Sequence, residues 1–136
     1  MGTLEDARKL FANDTYASST TGVEIDEIGE DYAKCSLVIK DIHRNIYNSV
    51  MGGAIYTLAD LAFAVASNFN KDVATVSIGG QSSFMASTKG SVLYAEAKLI
   101  KDGRSNCFYE VLVTDDLGKK IAFFSFVGAH LEKRYR

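Results

Sequence analysis

The sequence predicts an α+β domain in which an antiparallel sheet wraps around one central helix. Three observations predict it. Residues 54–66 form an apolar run of helical composition with a single charge, Asp60. Strand-like alternation fills most of the chain on both sides of that run. Turn signals, among them Asp102-Gly103, join successive strand-like runs as hairpins. A buried helix among hairpins is the α+β pattern. At 136 residues the chain suffices for a sizeable core, so a single domain over residues 1–136 is expected.

The elements follow in order. Leu4, Ala7, Leu10 and Phe11 stand at helical spacing, with Thr3 as cap and Asp6 completing a capping-box pattern. Residues 13–22 are polar, rich in Ser and Thr, and read as a loop. A first strand covers 23–28, Gly29-Glu30-Asp31 turns, and a second strand covers 32–39. A polar connection, 41–50, leads to Gly52-Gly53 and the central helix, which fades near 68–72. Four strands come next, over 74–85, 91–100, 106–114 and 120–131, with turns at 101–104 and 115–119. Gly79-Gly80 marks a bulge or bend in the first of these four.

Composition excludes several classes. The chain is 47% hydrophobic and 24% charged, as ordinary globular proteins are. A net charge of −2 provides no basic field, so neither nucleic acid nor a membrane is expected as partner. No stretch has the length of a bilayer span, and the N-terminal residues lack a basic region followed by an apolar run. Cys35 and Cys107 are the only cysteines and both fall in strands, which favours core filling and a reducing, cytoplasmic setting. Without a CxxC or a Cys/His cluster in the sequence, no metal is expected.

The chemistry concentrates around the central helix. A carboxylate on a helix that is apolar all round is unfavourable unless paired, protonated or in use. Gly52 and Gly53 allow a ligand close to the backbone. The first amides of a helix lack intrahelical acceptors and lie at the positive end of its dipole, which suits a carbonyl becoming an oxyanion. Asp60 stands about 12 Å further along the axis, at 1.5 Å per residue. The two groups therefore cannot act on one carbonyl within one chain, and a two-fold dimer would bring them together. The plain alternatives are a simple Gly-Gly turn and a solvated aspartate.

The stretch from His43 to Asp60, HRNIYNSVMGGAIYTLAD, resembles the signature of hot-dog-fold acyl-CoA thioesterases of the phenylacetic acid degradation type, related to the 4-hydroxybenzoyl-CoA thioesterases. The Lys-x-Gly-Arg turn at 101–104 and the Asp-x-x-Gly-Lys-x-x-Ala pattern from Asp115 to Ala122 fit as well. The resemblance implies a six-stranded antiparallel sheet curled around the helix, to which the spacing from Leu4 to Phe11 adds a short N-terminal helix. It also implies a homodimer with a continuous sheet, often doubled to a homotetramer. Residue by residue, it implies Asp60 as general base or nucleophile, Gly52 as the amide that polarises the thioester carbonyl, and Asn45 as the residue orienting water or thioester. Gly53, Met51, Ser77 and Phe63 would line the substrate site. Lys89, Lys101 and Arg104 fall where relatives hold the nucleotide, although a solvated surface charge is the plain reading of each. Tyr47, Tyr56 and Phe84 would wall an acyl pocket, or simply pack the core. His43 lines the site entrance or serves its loop.

The family usually carries His where this chain has Met51, and often Pro where it has Ala86-Ser87. The implied function is hydrolysis of acyl-CoA thioesters, with coenzyme A part of the substrate and no separate cofactor. The alternative is a non-catalytic acyl-ligand-binding module of the same fold. A hydratase ranks last, because it needs a catalytic His beside the helix.

Overall fold

The structure, a computed structural model, describes residues 2–132. Its elements are α1 (Leu4–Phe11), β1 (Val23–Gly29), β2 (Tyr32–Val38), α2 (Gly52–Asn68), β3 (Thr75–Phe84), β4 (Val92–Asp102), β5 (Asn106–Asp115) and β6 (Lys120–His130). The six strands form one sheet in the order β1-β2-β4-β5-β6-β3, and every pairing is antiparallel. β1 and β3 are the edges. Among the described residues no helix is long and apolar enough to cross a membrane.

The wrapping follows from side-chain size. α2 lies mainly across β2 and β4. There the inward positions are small, with Ala33, Ala95 and Ala97 all fully buried, so the helix approaches closely. Between α2 and β6 the packing is made by aromatic rings. Phe124 and Phe126 stack at 5.8 Å, Phe63 of α2 stacks on Phe126 at 5.1 Å, and Tyr56 meets Phe124 edge-on at 5.4 Å. Fully burying a side chain such as Leu58 or Phe63 contributes roughly 1.5–3 kcal/mol.

The capping box is present: the Asp6 amide donates to the Thr3 hydroxyl and the Thr3 amide donates to the Asp6 carboxylate. Four sequence expectations are corrected or sharpened. Residues 13–22 are not a simple loop, since Tyr16–Thr21 winds into a π-helical turn that ends at Gly22, held left-handed at φ 89°. Polar composition hides such a turn because it has no helical periodicity. The connection before α2 contains a short 3₁₀ turn at Asp41–His43. The bulge in β3 falls between Ser77 and Gly79, around Ile78, just before the glycine pair. The fourth concerns α2, which is not closed on every side. Gly53, Thr57, Asp60 and Ala64, at helical spacing, form a partly exposed stripe.

Candidate active site

Asp60 sits on that stripe and is half-buried. It faces a cavity of about 400 Å³ whose other walls include Phe11, Asn13, Asp14, Phe63 and Ser77. A neighbouring hollow of about 460 Å³, also lined by Asp60 and Asp14, lies under the π-helical turn beside Tyr16 and Thr57. No hydrogen bond or ion pair holds the Asp60 carboxylate among the described residues. Burial pushes its carboxyl above the usual range, and the Asp14 charge adds to the rise. The result is a carboxylate of enhanced basicity facing open space.

Gly52 begins α2, and Met51 caps it in extended conformation without a side-chain hydrogen bond. The Met51 carbonyl accepts from the Ala54 and Ile55 amides, whereas the Gly52 and Gly53 amides have no acceptor among the described residues. A β-carbon on Gly52 would stand 3.1 Å from the Phe84 ring, so glycine lets that ring close over the helix start. A β-carbon on Gly53 would meet nothing. Gly52 lines a third cavity, of about 360 Å³, with Val50, Phe84 and Met85. Asp60 is absent from that lining, consistent with the 12 Å offset along the helix.

The structure thus brings together Asp60, Phe63 and Ser77 and separates them from Gly52, Gly53 and Met51. Asn45 joins neither group. Its Oδ1 accepts from the Tyr47 amide at 2.9 Å and the Ser49 amide at 3.1 Å, folding its own loop. Lys89 and Arg104 are both exposed and flank opposite ends of β4, an 11-residue strand about 36 Å long at 3.3 Å per residue. Within one chain they cannot hold one phosphate group. His43 is buried and structural: Nδ1 accepts from the Lys40 amide at 3.0 Å, and Nε2 bonds the Thr21 carbonyl at 2.7 Å. Tyr47 is 80% exposed, while Tyr56 belongs to the aromatic cluster under α2. Asn13 and Asp14 were not singled out in the sequence, because nothing in their polar segment pointed to α2. Among the described residues, the side chains grouped closely enough to hold a metal are Asp102, Cys107 and His130, elsewhere on the sheet.

The thioesterase superfamily profile matches residues 47–122. The chain belongs to the thioesterase superfamily. Its relatives include an Archaeoglobus fulgidus protein assigned provisionally by name to the esterases, 38% identical over 96 residues. That match takes in 71% of this chain and spans 62% of the Archaeoglobus protein. Another relative is the acyl-coenzyme A thioesterase PaaI of Escherichia coli, 26% identical over 88% of this chain and 85% of that protein. Two solved structures illustrate the shared fold. A Haemophilus influenzae thioesterase superposes with a TM-score of 0.87 at 18% identity, covering 100% of this chain and 96% of that one. A hypothetical thioesterase of Streptococcus pneumoniae, solved with coenzyme A, gives 0.82 at 16% identity, covering 92% and 99%. The architecture is therefore the hot-dog fold. Within this thioesterase-superfamily chain the profile spans Met51, Gly52, Asp60 and Ser77, and leaves Asn13, Asp14 and Asn45 outside.

Proposed function

We propose that this chain hydrolyses acyl-CoA thioesters, with aryl or short to medium acyl groups, to the free acid and coenzyme A. The observation that carries the reading is Asp60, a basic, unpartnered carboxylate on an otherwise apolar helix, facing an open cavity. Membership of the thioesterase superfamily and kinship with the E. coli acyl-coenzyme A thioesterase support the substrate class.

The site is completed by a second copy in a homodimer. Asp60 of one subunit takes a proton from water as the water oxygen attacks the thioester carbonyl. The unpaired Gly52 amide of the other subunit meets the developing oxyanion. Collapse of the intermediate expels the coenzyme A thiolate, which takes up the proton. Asp60 as a direct nucleophile is the variant of this scheme. The β3 edge, with Val76 and Ile78 exposed, is the natural seam of a continuous sheet. Asn45, Met51, Gly53, Ser77 and Phe63 surround substrate in this reading, and Lys89 and Arg104 engage nucleotide phosphates from different subunits. Doubling to a homotetramer is compatible with it. Buried free thiols at Cys35 and Cys107 fit a reducing, cytoplasmic setting.

The test is turnover of an acyl-CoA panel by wild type and Asp60→Ala. Equal rates would sink the mechanism. Mixing Asp60→Ala with Gly52→Val tests the shared site, because heterodimers regain one intact centre, and a mixture as inactive as its parents argues against it. A second reading is favoured by Met51, which is 57% exposed where the family has a histidine: an acyl-CoA-binding module without turnover. Tight binding with no hydrolysis by wild type selects that reading.

A further inference from the structure

The pairing of β4, β5 and β6 assembles a side-chain cluster away from Asp60. Asp102 stands opposite Cys107, and Cys107 stands opposite Gly128. His130 follows two residues beyond Gly128 on the same face, opposite Thr75. Gly128 lets this row pack closely, since a β-carbon there would lie 2.7 Å from both Cys107 Sγ and Thr75 Cγ2. The ligand-type atoms of Asp102, Cys107 and His130 all lie within 4.8 Å of one another. His130 Nε2 is 2.7 Å from the Asp102 carboxylate, and its Nδ1 is 2.8 Å from the Thr75 hydroxyl.

The geometry points to a divalent transition-metal site of the zinc class, with Asp102, Cys107 and His130 as ligands. Thiolate sulfur, imidazole nitrogen and carboxylate oxygen are a borderline-soft donor set that suits zinc and disfavours magnesium or calcium. Three protein ligands on one side leave the fourth tetrahedral position to water, as in zinc sites with an open position. Ligand atoms around tetrahedral zinc stand about 3.5 Å apart, given bonds of about 2.0–2.3 Å. The set reaches that spacing by moving about an ångström, and Asp102, whose side chain is exposed, is free to supply the movement.

Two further features fit. The Thr75 hydroxyl engages Nδ1, the outer-shell hydrogen bond that orients a ligating imidazole, so Nε2 is the nitrogen for the metal, which would take the place of its present bond to Asp102. Asp102 and His130 also open on a cavity of about 720 Å³, whose rim carries Asp31, Asp72 and Glu132 against Lys71 and Arg104. With Asp102 the carboxylates outnumber the cations by four to two, a field that favours a divalent ion. Bound there, the metal would clamp the ends of three adjacent strands. Its ligands are distinct from Asp60, and Thr75 touches both places, bonding His130 on one side and lining the Asp60 cavity on the other.

Metal-stripped full-length protein, titrated with Zn²⁺ and with Co²⁺ against a competing chelator, tests the site. One equivalent should bind, and the Co²⁺ form should show a thiolate charge-transfer band that Cys107→Ser abolishes. Asp102→Asn and His130→Ala should each weaken Zn²⁺ binding at least tenfold, and Thr75→Val by ~10–100-fold through the imidazole. Zinc should raise the Tm of wild type and not that of Cys107→Ser. Asp102→Asn keeps the test decisive if a variant of a more buried residue fails to fold. Substoichiometric binding by wild type, a missing thiolate band, or unchanged affinity in Asp102→Asn would overturn the proposal.

Discussion

Asp14 and Asp60 share both cavities on the open side of α2, and no lysine, arginine or histidine lines either one among the described residues. The only other titratable group in those linings is the Tyr16 phenol; Tyr56, on α2 itself, also senses the Asp60 charge. The Asp60 carboxyl is raised first by burial and second by Asp14. Asp14→Asn removes the second cause and leaves the first. The acid limb of the pH–rate profile for thioester hydrolysis should therefore move to lower pH. A limb that stays in place would show that Asp60 does not govern it.

Asp60→Asn should trade activity for stability. A general base contributes about 10²–10⁴-fold, so kcat should fall by that order. The folded protein holds the Asp60 proton more tightly than the unfolded chain does. Its ionisation therefore destabilises the fold as pH rises through 3.8, and fully so above the raised folded value. The variant should melt higher than wild type at neutral pH, and the gap should close on acidification below 3.8. Thermal melts across the acid range read both limits.

Asp115 behaves in the opposite sense. Its carboxylate accepts from the Thr88 hydroxyl at 2.6 Å and from the Leu117 and Lys119 amides at 3.0 and 2.8 Å. The Thr88 bond is the main reason its carboxyl lies below the ordinary 3.8, and the amides add to it. The stability this provides is complete above 3.8 and disappears as pH falls through the lowered folded value. Asp115→Asn should be less stable than wild type at neutral pH and lose less on acidification. Urea midpoints measured against pH separate the two slopes, and parallel curves would refute the assignment.

Gly128→Ala should destabilise the fold by about 1–3 kcal/mol, the usual range for overpacking. The added methyl meets Cys107 Sγ and Thr75 Cγ2 at 2.7 Å and the Phe63 ring at 3.1 Å, all within the packed interior. Gly53→Ala is the control, since its methyl meets nothing and alanine favours a helix. Equal urea midpoints for the two variants would contradict this packing.

Strand alternation and the turn residues made the sheet legible, because both signals are local. Thr3 and Asp6 announced α1 for the same reason. Asp60 stood out because its neighbours on α2 are apolar. The exposed stripe of Gly53, Thr57 and Ala64 did not stand out, because small residues give the same composition whether they face a core or an opening. Asn13 and Asp14 stand near Asp60 because the chain turns back after α1, with their amides bonded to the Leu10 and Phe11 carbonyls, and that tertiary placement leaves no periodic trace. Asn45 matched a family pattern, while the bonds its Oδ1 accepts from the Tyr47 and Ser49 amides depend on a loop conformation that no spacing announces. The cluster of Asp102, Cys107 and His130 was hidden because strand register, and not sequence spacing, sets it.

The position of β3 has a kinetic consequence. It is made directly after α2, yet among the described residues its one neighbour in the sheet is β6, the last of the six strands. The hairpins β4–β5 and β5–β6 close short loops and can form early, whereas β3 must wait for a partner far along the chain. Thr75, Val76 and Ser77, the far wall of the Asp60 cavity, ride on that late strand. A chain still emerging from synthesis, before β6 exists, holds Asp60 without its pocket. Competence should thus arrive as an all-or-none event at the end of folding, and refolding monitored by regained turnover should lag behind the signal from the hairpins.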